Sequence, residues 1–195
     1  MIDRMEFTTD WVTPRDAWWR EVFDGFQDRP VRMLEVGFYE GRSAQWWLRN
    51  VLIHPQSELI SVDRWASKGA ANREHILTDP EHGPKFSFFE EDAIRWAGRL
   101  IGNGAEECFD AVYSDFSKEG GDIMALASLA FRLLKPGGIY LFDDYGWRWS
   151  ETSGVATPPA RHPQEGIDAW LRAHEPFCSR VERRCGQLLA VKEAI

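Results

Sequence analysis

Three aspartates and one lysine directly follow two short apolar runs in the second half of the chain. One run ends at Asp115, with Lys118 shortly after it, and the other ends in the pair Asp143 and Asp144. If the two runs form adjacent parallel strands, their carboxyl ends bring these four side chains to one edge of a sheet. Carboxylates clustered in one cleft repel one another and raise each other's pKa values unless a cation joins them.

This arrangement predicts a metal site and a general base. An all-oxygen site that leaves water positions open suits Mg²⁺, so Asp115, Asp143 and Asp144 are the predicted ligands. A lysine that is partly desolvated beside a divalent cation can have a lowered pKa, which suits Lys118 to the role of base. The alternative is that Asp115 caps a helix, that the aspartate pair is a solvated turn, and that Lys118 is an exposed lysine at a helix entrance.

A second candidate site is the turn within the stretch 34-LEVGFYEGRSAQWW-47. Gly37 and Gly41 let the backbone approach a ligand, and a helix that begins near Gly41 offers free N–H groups. Tyr39 and Glu40 are bulky, and the Glu40 carboxylate stands where a phosphate needs a positive field. The turn therefore disfavours NAD and FAD, and it admits a cofactor that has a cationic sulfur and no phosphate.

Acidic residues also follow the next two predicted strands. Asp63, at the end of the second strand, is placed to accept hydrogen bonds from ribose hydroxyls. Asp92 and Ala93, after the third strand, are placed to contact the edge of an adenine ring. Each of these could be an ordinary loop residue, but acids after two successive strands, together with the glycine turn after the first strand, favour a cofactor site.

Short apolar runs alternate with helical patterns, which is typical of a parallel sheet with crossover helices. The predicted strands are 31–36, 58–63, 86–89, 109–115 and 138–144. The predicted helices are 14–26 (with Thr13 as N-cap), 42–52, 93–101, 121–134 and 165–173. Runs at 177–184 and 187–193 are separated only by Cys185 and Gly186, which predicts an antiparallel hairpin. The expected fold class is α/β: a Rossmann-like sheet of five parallel strands plus a C-terminal antiparallel hairpin, with helices on both faces.

One domain is expected over residues 1–195, because a chain of 195 residues can bury one substantial core. Within it we expect an N-terminal helical segment at 1–30 and a cofactor-binding core at 31–144. Residues 145–195 are expected to supply a loop, a helix and the terminal hairpin on the acceptor side.

Composition excludes several function classes. A net charge of −8 argues against an extended nucleic-acid interface, which needs clustered Lys and Arg. The most apolar segment, 123–134, is too short to cross a bilayer and contains Arg132, and the first residues lack the apolar core of a signal peptide. The three cysteines (Cys108, Cys178 and Cys185) are scattered and form neither a disulfide framework nor a zinc motif. We therefore expect a soluble cytoplasmic protein that acts on a small molecule and has no nucleic-acid or membrane partner. The sequence is compatible with a homodimer.

The turn at 34–44, the acids Asp63 and Asp92, and the segment 133-LLKPGGIYLFDD-144 together resemble class I S-adenosylmethionine-dependent methyltransferases. The resemblance runs from about Thr13 to the C-terminus. The catechol O-methyltransferase group is similar in particular, because its turn also reads Gly-x-Tyr-x-Gly-x-Ser. The resemblance implies S-adenosylmethionine as cofactor, with Trp11 and Val12 lying over it. Its methionine end would be lined by Glu35, Gly37, Tyr39, Gly41 and Ser43.

The segment Asp115-x-x-Lys118 resembles the catechol and caffeoyl-CoA O-methyltransferases. That likeness implies that Asp115, Asp143 and Asp144 bind the metal, that Lys118 deprotonates the acceptor hydroxyl, and that Asp115 also contributes to the cofactor site. Asp144 departs from the catechol group, which usually has Asn there. Paired aspartates are closer to metal-dependent sugar O-methyltransferases of antibiotic pathways. The acceptor is therefore open between a catechol-like compound and a sugar or other natural product.

The predicted reaction is an in-line transfer of a methyl group from sulfonium to oxygen. Trp147 and Trp149 are candidates to wall an acceptor ring, and His162 is a weaker candidate for the acceptor site. Two alternatives stay open. One is a metal-independent methyltransferase that acts on another acceptor, and the other is an S-adenosylmethionine-binding protein without catalysis.

Overall fold

Residues 2–65, 67–148 and 162–194 are described by the structure, a computed structural model. The strands are β1 (Arg32–Val36), β2 (Glu58–Val62), β3 (Phe86–Phe89), β4 (Phe109–Ser114), β5 (Leu134–Phe142), β6 (Cys178–Arg184) and β7 (Gln187–Lys192). The α-helices are α1 (Asp16–Val22), α2 (Arg42–Asn50), α3 (Ala70–Leu77), α4 (Ala93–Gly102), α5 (Gly120–Leu133) and α6 (Pro163–His174). No helix in these described ranges combines the length and the apolar character needed to cross a bilayer.

The seven strands form one sheet in the order β3-β2-β1-β4-β5-β7-β6. β1 pairs parallel with β2, β2 with β3, and β4 with β5. β7 pairs antiparallel with both β5 and β6, so the last two strands form a hairpin at one edge. This confirms the predicted Rossmann-like sheet with a C-terminal antiparallel hairpin.

The chain divides into two compact units, Met1–Asp92 and Ala93–Ile195. The first contains β1–β3 with α1–α3, and its core is rich in aromatic rings. Trp19 of α1 stacks on Trp47 of α2 with ring centroids 4.2 Å apart, and Phe23 packs edge-on against Trp47 at 5.1 Å. Burial of such large rings supplies much of the apolar surface that holds helices to one another. Trp46 and Trp47 are both buried in this core.

The second unit contains α4–α6 and β4–β7, and Trp170 of α6 lies at its centre. Trp170 is fully buried and its ring centroid is 4.9 Å from Phe142 and 5.4 Å from Phe131. α6 also approaches α5 closely, because a Cβ added to Gly166 would lie 2.1 Å from the backbone oxygen of Gly120. Only a glycine on α6 permits this helix contact, which fixes α6 beside the start of α5.

Several predicted boundaries were wrong. The first helix is a short 3-10 turn, Thr13–Arg15, followed by α1, which ends at Val22. Thr13 does not cap it, because its hydroxyl donates to Asp10 Oδ2 at 2.5 Å instead. β5 begins at Leu134 rather than at Gly138, and α3 was not predicted at all. Half of the residues of α3 (AANREHIL) are polar and the apolar ones lie at its two ends, so no apolar periodicity reveals it.

The connection between β6 and β7 is as short as the sequence indicates. Cys185 and Gly186 both have positive φ values, 55° and 73°. Two successive left-handed residues are the signature of a tight hairpin turn whose twist matches that of the strands. The short connection therefore determines both the pairing and the register of the hairpin.

Candidate functional site

The turn between β1 and α2 depends on three residues with left-handed backbone. Gly37, Tyr39 and Gly41 have φ values of 97°, 49° and 78°. Glycine adopts this region readily, whereas a residue such as Tyr39 does so only when its surroundings hold it there. The Gly41 N–H donates to the Phe38 carbonyl at 2.7 Å and closes the turn. The residues predicted to approach a cofactor thus form a tightly specified loop.

Asp63 holds this turn from the end of β2. Its Oδ2 accepts the backbone N–H groups of Phe38 and Tyr39 at 2.8 and 2.9 Å. Its Oδ1 accepts the N–H of Trp65 at 2.8 Å. These bonds offset the conformational cost of Tyr39. Asp63 therefore orders the loop itself, and its predicted contact with ribose hydroxyls stays a prediction.

The start of α3 packs directly against the same turn. A Cβ added to Gly69 would lie 2.2 Å from the Tyr39 carbonyl oxygen and 2.7 Å from the Phe38 ring. A Cβ on Gly41 would meet the same ring at 2.4 Å. Phe38 is almost fully buried. The absence of a side chain at Gly41 and Gly69 therefore makes room for the Phe38 ring.

Glu40 and Asn72 tie the N-terminal segment to the turn. The Glu40 carboxylate accepts the Thr8 N–H at 2.8 Å and the Thr8 hydroxyl at 2.5 Å. Asn72 Nδ2 donates to the carbonyls of Glu40 and Glu6 at 2.8 and 2.7 Å. Sequence reasoning missed Asn72, because it missed α3. The signal was topological: parallel strands β2 and β3 need a crossover, which is usually a helix.

Glu35 lies under the turn and is fully buried. Its two carboxylate oxygens accept the hydroxyls of Ser43 and Ser61, each at 2.6 Å. Burial raises the pKa of Glu35 to about 7, although the two serine hydrogen bonds oppose the rise. The structure therefore joins the predicted residues Glu35 and Ser43 to each other, and their contact with the cofactor stays a prediction.

Replacing Glu35 with glutamine is expected to stabilise the protein at alkaline pH. A carboxyl whose pKa is raised from 4.5 to about 7 is more protonated when folded, so its stabilising contribution is lost as the pH rises through 7. The free energy of unfolding of Glu35→Gln should exceed that of the wild type by up to about 3 kcal/mol above neutral pH. Denaturant titrations at about pH 5 and about pH 8 measure this. The exposed Glu58→Gln is the control, and a pH-independent difference would contradict the prediction.

The remaining residues predicted for the cofactor differ in their exposure. Asp92 faces Arg64 of the same unit, with Arg64 Nη1 3.7 Å from its Oδ2. Ala93 is buried as the first residue of α4. Trp11 is 65% exposed, whereas Val12 beside it is buried. The exposed indole of Trp11 is free to meet a ligand, and Val12 belongs to the core.

In the second unit, Lys118 joins two of the predicted carboxylates. Its Nζ donates to Asp115 Oδ1 at 2.6 Å and also to Asp144 Oδ2. Asp144 has a left-handed backbone with φ of 57°. α5 begins at Gly120 with Glu119 as its N-cap residue. The alternatives of a helix-capping Asp115 and a fully solvated Lys118 therefore do not describe this cluster.

Asp143 points to different partners. Its Oδ2 accepts the Tyr113 hydroxyl at 2.6 Å, and its Oδ1 accepts the Asp144 N–H at 2.8 Å. Asp143 and Asp115 both line a small cavity of about 10 Å³. Within residues 2–65, 67–148 and 162–194, no group of three or more His, Cys, Asp or Glu side chains is arranged to hold a metal ion. The metal role of the three aspartates thus stays a prediction.

Burial and the neighbouring carboxylates shift the pKa values of Lys118 and Asp144. Burial alone would lower the pKa of Lys118, but the carboxylates of Asp115 and Asp144 outweigh it and raise the pKa above its ordinary value. Burial and the carboxylate of Asp115 raise the pKa of Asp144, and Lys118 opposes this rise only in part. In the protein alone, Lys118 is therefore a firmly held ammonium. Its pKa is raised, whereas a lysine that acts as a base needs a lowered pKa.

Residues 34–145, which include the turn and the acid cluster, match a family model described as a methyltransferase domain. The chain belongs to this methyltransferase family. It is an S-adenosylmethionine-dependent enzyme, as the resemblance in the cofactor turn predicts. No curated protein sequence matches the methyltransferase.

Solved structures share the fold of the methyltransferase at low sequence identity. An O-methyltransferase from Bacillus cereus in complex with SAH has a TM-score of 0.69 at 16% identity, over 97% of this chain and 84% of that chain. A Klebsiella pneumoniae structure described as an O-methyltransferase has a TM-score of 0.73 at 18% identity, over 99% and 90%. MycE from the mycinamycin biosynthetic pathway, in complex with Mg and SAH, has a TM-score of 0.65 at 17% identity. The match covers 97% of this chain, which spans about half (51%) of the length of MycE.

The acid cluster of the methyltransferase fits a divalent cation in its donor set and its charge. Oxygens of Asp115 and Asp144 converge on one position, which the ammonium of Lys118 takes. Burial, and after it the carboxylate of Asp115, raises the pKa of Asp144 despite the neighbouring ammonium of Lys118. Carboxylate oxygens are the donors that Mg²⁺ prefers.

Only some of the residues predicted for the acceptor side lie in the described part of the chain. The Trp147 ring lies 5.9 Å from Lys118 Nζ, so it borders the acid cluster as predicted for an acceptor wall. Trp149 lies outside the described residues. His162 is buried, and its Nδ1 has no hydrogen-bond partner among the residues that the structure describes. The acceptor roles of these residues stay predictions.

Proposed function

We propose that this methyltransferase transfers the methyl group of S-adenosylmethionine to a hydroxyl oxygen of a small molecule in a Mg²⁺-dependent reaction. The proposed metal ligands are Asp115, Asp143 and Asp144, and the proposed base is Lys118. The observation that carries the proposal is the convergence of Asp115 and Asp144 on one cationic position. The presence of Mg in the MycE complex supports it at the level of the fold.

The cofactor is assigned to the turn in the first unit. Its methionine end would contact Gly37, Tyr39, Gly41 and Ser43, while Asp63 and the Asp92–Ala93 pair would contact the nucleoside. The negative carboxylate of Glu40 and the bulk of Tyr39 suit a sulfonium cofactor, which carries positive charge and no phosphate. The hydrogen bonds from the turn to Asp63 keep this loop in place before the cofactor arrives.

Lys118 would accept the proton of the acceptor hydroxyl as the new bond forms. The carbon–sulfur bond breaks, the carbon–oxygen bond forms, and the products are S-adenosylhomocysteine and a methyl ether. Mg²⁺ in this site would polarise the acceptor oxygen and offset the carboxylate charge that now keeps Lys118 protonated. In the protein alone, hydrogen bonds to Asp115 and Asp144 keep Lys118 within the cluster where the acceptor would bind.

A second candidate is a metal-independent methyltransferase. The position of the Lys118 ammonium between two carboxylates favours it, because a fixed ammonium can itself stabilise a developing alkoxide. In that case Lys118 acts as a hydrogen-bond donor to the acceptor oxygen, and a carboxylate such as Asp144 accepts the proton.

Titration of activity with Mg²⁺ separates these candidates. Methyl transfer from labelled S-adenosylmethionine should be measured on catechols and vicinal sugar diols, with Mg²⁺ and with EDTA. We expect EDTA to abolish O-methylation and Mg²⁺ to restore it. Full activity in EDTA would replace the first candidate with the second. Transfer to nitrogen or to protein, with none to any hydroxyl, would overturn both.

A further inference from the structure

The Tyr145 hydroxyl, one residue beyond the aspartate pair, is at the centre of a polar network. It donates to Asp168 Oδ1 at 2.9 Å. It accepts from Arg183 Nε at 2.9 Å and from Gln164 Nε2 at 3.4 Å. A tyrosine hydroxyl has one donor and two acceptor positions, so its capacity is fully used.

The network connects Tyr145 to two separate elements of the second unit. Asp168 and Gln164 belong to α6, and Arg183 belongs to β6. The backbone N–H of Tyr145 also donates to the Gly186 carbonyl in the turn between β6 and β7, at 2.8 Å. Both the backbone and the side chain of Tyr145 are therefore held by parts of the chain far from it in sequence.

Asp144 lies between this anchored residue and a second anchored residue. On its N-terminal side, the Asp143 N–H donates to the Ser114 carbonyl at 3.0 Å and its carboxylate accepts the Tyr113 hydroxyl. Asp144 itself has φ of 57°. A left-handed aspartate is unfavourable by itself and persists only where its neighbours hold it. The conformation that turns the Asp144 carboxylate to Lys118 thus depends on both flanks.

We propose that Tyr145, with Asp168 and Arg183, forms a positioning unit that holds Asp144 in its left-handed conformation and so directs its carboxylate to Lys118. Tyr145 is a positioning residue, because it acts on the reaction only through Asp144. The consequence for catalysis rests on the proposed function of the acid cluster. The consequence for the backbone of the Asp144 turn is independent of that proposed function.

The network contributes more to geometry than to global stability. The Arg183 and Asp168 side chains are 50% and 28% exposed, and partly exposed charged pairs stabilise a fold only slightly. Removing the partner of a ligand or catalytic group nevertheless costs typically 10–100-fold in affinity or activity, because the group loses its orientation. Loss of the Tyr145 hydroxyl should therefore affect the turn and the reaction while the fold persists.

The test is Tyr145→Phe, which keeps the ring and removes only the hydroxyl. We expect kcat to fall about tenfold or more, with an unchanged KM for S-adenosylmethionine and an unchanged melting temperature. The split between kcat and KM identifies positioning, because general destabilisation would alter both. Arg183→Gln should also lower kcat. Arg180→Gln is the matched control on the same strand, because Arg180 pairs with Glu182. A wild-type kcat in Tyr145→Phe would overturn the proposal.

Hydrogen exchange keeps this test separate from the proposed function. The Trp147 N–H donates to the Asp144 carbonyl at 3.0 Å, so its exchange rate reports on the Asp144 turn. Tyr145→Phe should exchange this amide faster than the wild type, and Arg180→Gln should not. If the wild type methylates no hydroxyl, the proposed function fails but faster exchange still supports the positioning unit. Unchanged exchange overturns it, whatever the acceptor.

Discussion

Replacing Lys118 with methionine is expected to lower kcat for methyl transfer by roughly 10²–10⁴-fold, the usual contribution of a general base. Methionine approximates the length of the lysine stem and lacks the amine that would take the acceptor proton. The thermal stabilisation of the protein by S-adenosylhomocysteine should be retained, because the proposed contacts with its methionine end are made by Gly37, Tyr39, Gly41 and Ser43 and not by Lys118.

The same substitution is expected to strengthen Mg²⁺ binding. The Lys118 ammonium takes the position on which oxygens of Asp115 and Asp144 converge, so it competes with a cation for the same donors. Without it the two carboxylates face each other uncompensated, and a divalent cation relieves that repulsion. Titration calorimetry with Mg²⁺ on the wild type and on Lys118→Met measures the change.

Lys135→Met is the matched control. Lys135 also pairs with an aspartate in the second unit, Asp110 at 2.9 Å, but away from the cluster. It should leave both kcat and Mg²⁺ affinity as in the wild type at a temperature where the protein is folded. A wild-type kcat in Lys118→Met would remove Lys118 from catalysis. An unchanged Mg²⁺ affinity would show that ammonium and metal do not share a position.

Replacing Gly69 with alanine is expected to weaken S-adenosylhomocysteine binding by more than about tenfold and to destabilise the protein by about 1–3 kcal/mol. The added Cβ would lie 2.2 Å from the Tyr39 carbonyl oxygen, a backbone atom that moves only if the turn moves. A shift of that turn would disturb the hydrogen bonds that the N–H groups of Phe38 and Tyr39 donate to Asp63. Isothermal titration and denaturant unfolding measure the two effects.

Gly98→Ala is the opposing control. Gly98 lies within α4, and a Cβ there would meet no atom within 4 Å. Alanine favours a helix over glycine by about 0.5–1 kcal/mol, so this variant should gain stability and bind S-adenosylhomocysteine normally. Normal binding by Gly69→Ala would show that the close approach of α3 does not shape the cofactor turn.

Features that depend on local sequence were predictable. The turn of the β6–β7 hairpin followed from Cys185 and Gly186 alone, and the strand cores followed from short apolar runs. The convergence of Asp115 and Asp144 followed from one general rule, that parallel strands end at the same edge of a sheet. These predictions need only short-range chemistry or the topology of the fold.

Features that depend on contacts across the fold were not predictable. Asn72 lies on a helix without apolar periodicity, and its partners Glu6 and Glu40 are distant in sequence. The Tyr113 hydroxyl donates a hydrogen bond to Asp143, and no residue pattern shows this. The raised pKa of Lys118 depends on how near two carboxylates come, which spacing alone cannot give.

The bond from the Tyr145 amide to the Gly186 carbonyl has a consequence for the order in which the protein matures during translation. The residues that shape the cofactor turn, up to Asn72, are translated before Asp144. Gly186, which holds the segment after Asp144, is translated 42 residues later than Asp144. A nascent chain can therefore form the cofactor turn before its acid cluster is ordered, because that cluster waits for the hairpin of β6 and β7.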